Sequence, residues 1–190
     1  MTLERFLNRL SSERPAPGGG AAAALIGTLG IALLEMTVRI NARRDKNPQK
    51  KGLSRKTGWL ASAKRSLLGL MVEDAEAFER ISVLYKKKET GASWQDALKK
   101  GAVVPYQIAE IVSGTSGLLS EEAPKTSAWL FSDLQESVIL LFAAFEAATR
   151  CAERRGRGTL TKRQQIPVPV RPTLQGRRPQ LFQFDVAATL

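Results

Sequence analysis

One carboxylate in this sequence falls where a helical pattern would bury it. Apolar residues recur at three- and four-residue steps between residues 58 and 87, which predicts one long helix with a buried face. Asp74 lies on that face, between Met71 and Phe78. Burial disfavours the ionised form of a carboxyl group unless a partner compensates, so Asp74 is a candidate functional acid. The alternative is a structural ion pair or a cap for a neighbouring helix.

The segment that leads into an earlier helix could bind a ligand through its backbone. Its residues are Pro17, Gly18, Gly19 and Gly20. Glycine permits close approach to the main chain, and a helix start without side chains presents free N–H groups and the positive end of the helix dipole. These features suit an anionic ligand group. The alternative is the capped start of a buried core helix.

The helix that follows this segment is rich in small apolar residues. The run from Ala21 to Leu34 predicts a helix that extends to about Asn41. Gly27 and Gly30 each cost about 1 kcal/mol relative to alanine inside a helix, so we expect a neighbouring element to pack closely against them. Because a charged residue directly follows Leu34, the apolar run is short for a membrane span, and no membrane partner is expected.

A basic segment, residues 43–57, comes next. It holds seven lysines and arginines, and Asp45 is its one acidic residue. Pro48 and Gly52 predict a loop. Such a patch would attract an anionic ligand tail or nucleic acid, although the segment lacks the aromatic residues on which bases stack. The alternative is a solvated loop without a ligand.

Three further helices complete the predicted fold. They span residues 2–12, about 93–112, and a last helix from about Ser132 to Arg154. Ser132 with Gln135, or Asp133 with Glu136, has the spacing of a capping box at the start of that last helix. Its body is apolar nearly all round, which predicts a central position or a subunit interface. With no convincing strand, the prediction is an all-α, single-domain bundle of about five helices over residues 1–153.

Composition excludes several kinds of site. The chain has no histidine and one cysteine among its 190 residues, which excludes Ser-His and Cys-His catalysis and a disulfide framework, and we expect no metal. The net charge of +11 comes mostly from residues 154–190, where eight arginines and lysines face one acid. Four prolines there predict an extended or disordered tail. No apolar leader opens the chain, so a cytoplasmic location is expected.

Four segments together resemble the cyclodeaminase/cyclohydrolase family of folate one-carbon enzymes. They are FLNRLSSERPAPGGGAAAALIGTLGIALLEM at 6–36, VEDAEAF at 72–78, VVPYQIAE at 103–110, and Ser132 with Asp133 at the start of the last helix. The family includes formimidoyltetrahydrofolate cyclodeaminase and bacterial methenyltetrahydrofolate cyclohydrolase. The resemblance covers about residues 1–153. It implies a helical bundle that forms a homodimer and acts on a tetrahydrofolate derivative.

The resemblance implies one of two reactions. One is hydrolysis of 5,10-methenyltetrahydrofolate to 10-formyltetrahydrofolate, and the other is cyclising deamination of 5-formiminotetrahydrofolate. The methenyl bridge is a cationic amidinium, so a nearby carboxylate can stabilise its charge and steer water. Asp74 and Asp133 are the candidate catalytic residues. Asp133 would hold the folate ring or the cationic bridge, and Asp74 would transfer a proton or orient Asp133.

The resemblance also suggests binding residues. The ligand would approach the backbone at Gly18, Gly19 and Gly20 after Pro17, Ser132 would contact it, and Lys50 and Lys51 would suit its glutamate tail. Three residues depart from the pattern common in the family, namely Ala21, Trp129 and Gln135. The alternative is therefore a non-catalytic folate-binding or protein-interaction member of the same fold. Nucleic acid is expected as a partner only through the basic tail.

Overall fold

The computed structural model of the chain describes residues 2–45 and 50–156. These residues form six α-helices and a 3-10 turn at Ala123–Lys125, with no strand among them. The helices are α1 (Leu3–Leu10), α2 (Gly19–Arg44), α3 (Lys50–Lys86), α4 (Ala92–Ser113), α5 (Ser116–Glu122) and α6 (Phe131–Gly156). The predicted all-α bundle is confirmed, and the short α5 is the helix that the sequence pattern did not reveal. Most of the predicted tail, residues 157–190, lies outside the described residues.

Four of these helices, α2, α3, α4 and α6, form an antiparallel bundle. Both α2 and α4 pack against α3 and α6. Gly20 at the start of α2 lies beside Asp74 in the second half of α3, and Gly19 lies near Cys151 towards the end of α6. Consecutive bundle helices therefore alternate in direction, which is an up-down-up-down arrangement.

The two ends of the bundle carry different groups. We call the end that holds the start of α2 and the last turn of α6 the glycine end. The end that holds residues 121–133 is the opposite end. Because α6 has 26 residues, at about 1.5 Å per residue it runs from one end to the other over roughly 39 Å.

Glycines let α2 and α6 approach closely in the middle of the bundle. A Cβ built on Gly30 would lie 2.8 Å from Cγ of Leu141, and one on Gly27 would lie 3.4 Å from Cβ of Ala144. The hydroxyl of Ser137 donates a hydrogen bond of 2.8 Å to the carbonyl of Gly30. The close packing predicted from the two glycines is thus confirmed.

By length and composition alone, α2 is the one helix in the described part of the chain that could cross a membrane. In this structure 56% of its apolar stretch is buried. It packs against α3 and α6, as the central helix of a bundle does.

The loop predicted over residues 43–57 is wrong for the part that the structure describes. α2 extends into it from one side, and α3 already begins at Lys50. Leu53 packs on the core, and Lys56 forms an ion pair of 2.8 Å with the buried Glu122. These long-range contacts stabilise helix where local sequence favours a turn. The proline of this segment lies outside the described residues.

A charged pair also joins α2 to α3 between the middle of the bundle and its opposite end. Lys64 lies 2.7 Å from the buried carboxylate of Glu35, which also accepts hydrogen bonds from Arg39. Burial alone would raise the pKa of Glu35, but the hydrogen bonds from Lys64 and Arg39 hold it below its usual value. The carboxylate therefore stays ionised and paired at neutral pH.

The close contact at Gly30 predicts a matched pair of stability changes. Gly30→Ala should lower the free energy of unfolding by about 1–3 kcal/mol, because the new methyl group overlaps Leu141. Gly69→Ala, on the exposed face of α3 with nothing within 4 Å, should raise it by about 0.5–1 kcal/mol through helix propensity. Urea unfolding of both variants checks this. Equal effects of the same sign would contradict the packing described for α2 and α6.

Candidate functional site

Asp74 is fully buried at the glycine end. Its exposed fraction is 0%, and Leu70 and Ala77 on the same face of α3 are also buried. The prediction that this helical face is buried is therefore confirmed. An ionised carboxylate in such a place needs a compensating charge and hydrogen bonds.

Arg155, in the last turn of α6, supplies that charge. Its Nη1 donates a hydrogen bond of 2.5 Å to Oδ1 of Asp74 and a second of 3.0 Å to the carbonyl of Gly101 in α4. Its Nη2 lies 3.5 Å from Oδ2 of Asp74. The guanidinium carbon is 4.8 Å from the centre of the Phe78 ring, within the range of a cation–π contact. The structural ion pair considered as the alternative for Asp74 is therefore present.

The start of α2 closes the other side of the Asp74 carboxylate. A Cβ on Gly20 would lie within 2.6 Å of both carboxylate oxygens, a separation that real Cβ atoms do not show. Only glycine therefore fits at this position while Asp74 keeps its place. The sequence predicted that this helix start would suit an anionic group. The chain itself places the Asp74 carboxylate there.

The other residues of the predicted glycine segment line the same end. Pro17 is buried and follows a cis peptide bond. Gly18 is the N-cap of α2 and provides no side-chain hydrogen bond to it, so free backbone N–H groups remain at the helix start. Gly19 is exposed. The structure thus brings Pro17 and the three glycines together with Asp74.

Cys151 completes this end from α6. A Cβ on Gly19 would lie 3.4 Å from its Sγ. Burial raises the pKa of the Cys151 thiol above its usual value, against the opposing effect of the Arg155 charge. The thiol is therefore protonated at neutral pH, and it fills space beside the glycine segment as a small apolar group.

Asp133 and Ser132 lie elsewhere in the fold. Both are in the first turn of α6, with Ser132 exposed and Asp133 half-buried. Arg155 and its partner Asp74 are at the other end of that helix, about 33 Å away along its axis at 1.5 Å per residue. Asp74 and Asp133 of one chain therefore do not meet, and Asp74 does not orient Asp133 within a single chain.

The basic segment also belongs to the opposite end. Lys50 and Lys51 are in the first turn of α3, and their side chains are outside what the structure describes. The charged residues that line a nearby cavity of about 660 Å³ are of both signs: Arg44, Arg55, Lys56, Lys125, Asp45, Glu121 and Glu122. Burial alone would lower the pKa of Lys56, but the hydrogen bonds that it donates to the carboxylates of Glu121 and Glu122 raise that pKa above its usual value. This end is separate from the glycine end.

Arg155 was not singled out from the sequence, although a signal for it exists. Ala148 and Ala152 are buried on one face of α6, and residue 155 continues that face by one further turn. A cation on a buried helical face is costly unless it is paired, so its position predicts a buried carboxylate as its partner. Among residues 2–45 and 50–156, no three His, Cys, Asp or Glu side chains are grouped so that they could hold a metal ion.

The fold and this site define a class of protein, the helical bundle with a buried carboxylate against a glycine-led helix start. The sequence model of the formiminotransferase-cyclodeaminase family matches residues 2–152. The chain belongs to that family, and the resemblance predicted from its sequence is confirmed.

Relatives of known name match most of the chain. It is 29% identical to the methenyltetrahydrofolate cyclohydrolase of Methylorubrum extorquens over 160 residues, which cover 77% of this chain and 75% of that protein. It is also 29% identical to the formimidoyltransferase-cyclodeaminase of Rattus norvegicus over 143 residues, covering 70% of this chain and 26% of the relative. The crystal structure of formiminotetrahydrofolate cyclodeaminase from Thermotoga maritima matches with a TM-score of 0.76 and 25% identity, covering 84% of this chain and 80% of that one.

The geometry at the start of α2 predicts that two adjacent glycines respond differently. Gly20→Ala should lower the free energy of unfolding by about 1–3 kcal/mol, because its methyl group overlaps the Asp74 carboxylate. Gly19→Ala meets only ordinary contact with Cys151 and should stay within about 0.5 kcal/mol of the parent. Thermal and urea unfolding give the change in the free energy of unfolding for both variants. A tolerated Gly20→Ala would show that the carboxylate does not lie against this backbone.

Proposed function

We propose that this chain is a folate-dependent enzyme whose one-carbon chemistry takes place at the glycine end. The observation that carries the proposal is the buried Asp74 carboxylate, held against the glycine-led start of α2 in a chain of this family. The substrate is a tetrahydrofolate derivative that carries a cationic one-carbon group. The location we propose is cytoplasmic.

We propose two candidate reactions, each supported by similarity to a relative of that name. Similarity to the cyclohydrolase of Methylorubrum extorquens over most of both chains favours hydrolysis of 5,10-methenyltetrahydrofolate to 10-formyltetrahydrofolate. Similarity to the cyclodeaminase structure of Thermotoga maritima favours cyclising deamination of 5-formiminotetrahydrofolate. In the first reaction water adds to the amidinium carbon and the bond from that carbon to N5 breaks. In the second, N10 attacks the formimino carbon and ammonia leaves from it.

The two reactions require the same kind of protein group. In both, a nucleophile loses a proton as it attacks the one-carbon group, and a leaving nitrogen gains one. An ionised carboxylate beside that carbon stabilises its positive charge and can accept the proton. In a chain without histidine, Asp74 is the buried carboxylate placed to do so at this end. Proton transfer by a positioned side chain typically contributes about 100- to 10,000-fold to the rate.

The proposed role of Asp74 predicts the kinetics of its variant. Asp74→Asn should lower kcat by at least about 100-fold, because the amide can neither accept the proton nor balance the substrate charge. Glu73→Gln, an exposed neighbour on the same helix, is the matched control and should leave kcat unchanged. The loss of methenyltetrahydrofolate absorbance reports hydrolysis, and its gain from 5-formiminotetrahydrofolate with ammonia release reports deamination. Full activity of a folded Asp74→Asn protein in both assays would contradict the role proposed for Asp74.

We also propose that the active form is a homodimer built on α2 and α6. Leu29 on α2 and Ile139 on α6 are 51% and 63% exposed. Leu29 directly precedes Gly30 in the sequence and Ile139 stands two residues before Leu141, so both are at the level of the bundle where α2 and α6 approach closely. A two-fold axis through the middle of α6 would place the opposite end of one copy beside the glycine end of the other. Such a dimer would bring the end that carries Asp133, Ser132 and the basic segment towards the Asp74 site, where Asp133 would hold the folate ring.

The dimer proposal predicts the effect of a charge on this face. Ile139→Asp should convert the dimer to monomer, because an unpaired charge at the interface must be desolvated. Val83→Asp, at a similarly exposed apolar residue of α3, is the control and should remain a dimer. Analytical ultracentrifugation gives the mass of each. A monomeric parent protein, or a dimeric Ile139→Asp variant, would contradict this interface.

A further inference from the structure

The guanidinium of Arg155 is contacted by three groups that each favour a positive charge. Nη1 of Arg155 donates one hydrogen bond to the carboxylate of Asp74 and another, of 3.0 Å, to the carbonyl of Gly101. The Phe78 ring lies under the face of the guanidinium, with its centre 4.8 Å from the guanidinium carbon. The three groups come from α3 and α4, whereas the cation comes from α6. Its side chain keeps 11% of its surface exposed, while that of Asp74 has none. Arg155 therefore lies between the buried carboxylate and the outside.

A carboxylate, a carbonyl and an aromatic ring together favour a particular kind of cation. A carboxylate and a carbonyl accept hydrogen bonds from the N–H groups at the edge of a flat, delocalised cation. An aromatic face under that cation stabilises its charge. An ammonium ion has a single tetrahedral nitrogen, so it offers no flat face to the Phe78 ring and no second nitrogen towards Oδ2 of Asp74, which Nη2 of Arg155 approaches to 3.5 Å.

We propose that Asp74, the Gly101 carbonyl and Phe78 form a subsite for a planar nitrogen–carbon–nitrogen cation, and that Arg155 occupies this subsite in the free protein. Guanidinium and amidinium groups share this planar, delocalised core. The one-carbon group of the substrate is such an amidinium. Arg155 is thus an internal competitor that keeps the carboxylate paired until the substrate takes its place. The identity of the competing cation rests on the proposed function, but the subsite itself rests on the contacts of Arg155.

Small cations can test the subsite without any enzymatic assay. Arg155→Ala should lower the melting temperature, because it leaves the Asp74 charge buried and unpaired. Millimolar formamidinium, the simplest amidinium cation, should raise the melting temperature of this variant by several degrees, since a ligand that binds only the folded state stabilises it. The same salt should not stabilise the parent protein, in which Arg155 already fills the subsite. Methylammonium at equal concentration is the shape control and should stabilise the variant much less.

Two further variants make the result specific to this site. Arg154→Ala removes an exposed cation from the adjacent position of α6 and should show no response to formamidinium. The double variant with Asp74→Asn and Arg155→Ala lacks the carboxylate and should lose the response as well. If Arg155→Ala alone does not fold, its refolding yield with formamidinium and with methylammonium is compared instead. Equal effects of the two cations, or a response that survives Asp74→Asn, would overturn the subsite.

The role of the subsite in the reaction has a separate readout. If the substrate cation displaces Arg155, Arg155→Ala should lower KM for the methenyl or formimino substrate, because the internal competitor is gone. An unchanged or raised KM, together with stabilisation by formamidinium, would overturn this use of the subsite by the substrate and leave the cation subsite itself established. Absence of turnover in the parent protein would contradict the proposed function and not the subsite.

Discussion

The burial of one carboxylate dictates the arrangement at the glycine end. Asp74 has no exposed surface, and an isolated buried charge costs several kcal/mol, so the fold must place a cation against it. Arg155 meets that need from α6, and Gly101 of α4 helps to hold Arg155. Gly20 of α2 packs on the other side of the carboxylate. All four bundle helices are thus tied to one charge.

Much of the fold and part of this site could be predicted from the sequence. The apolar stripe of α3 correctly placed Asp74 inside, and Gly27 and Gly30 correctly predicted close packing of α2. The helix over residues 50–57 was missed because it depends on long-range contacts such as the one between Lys56 and Glu122. The pairing of Asp74 with Arg155 was missed for the same reason, since the two residues are far apart in sequence and local patterns carry no information about distant partners.

The separation of Asp74 from Asp133 changes how the site must be understood. The sequence resemblance implied that both carboxylates act on one substrate, but the antiparallel bundle places Asp74 of α3 at the glycine end and Asp133 of α6 at the opposite end. Within one chain the chemistry we propose therefore belongs to the glycine end alone. The opposite end, with its buried Glu122 and its cavity lined by charges of both signs, could serve the same substrate only through a second copy of the chain.

A crystal structure of the protein with a stable reduced folate would test the central claim most directly. We expect density for the one-carbon position within hydrogen-bond distance of Asp74, with the Arg155 side chain displaced from the Phe78 ring. Arg155 still paired with Asp74, and the folate bound around Asp133 away from any glycine end, would contradict it.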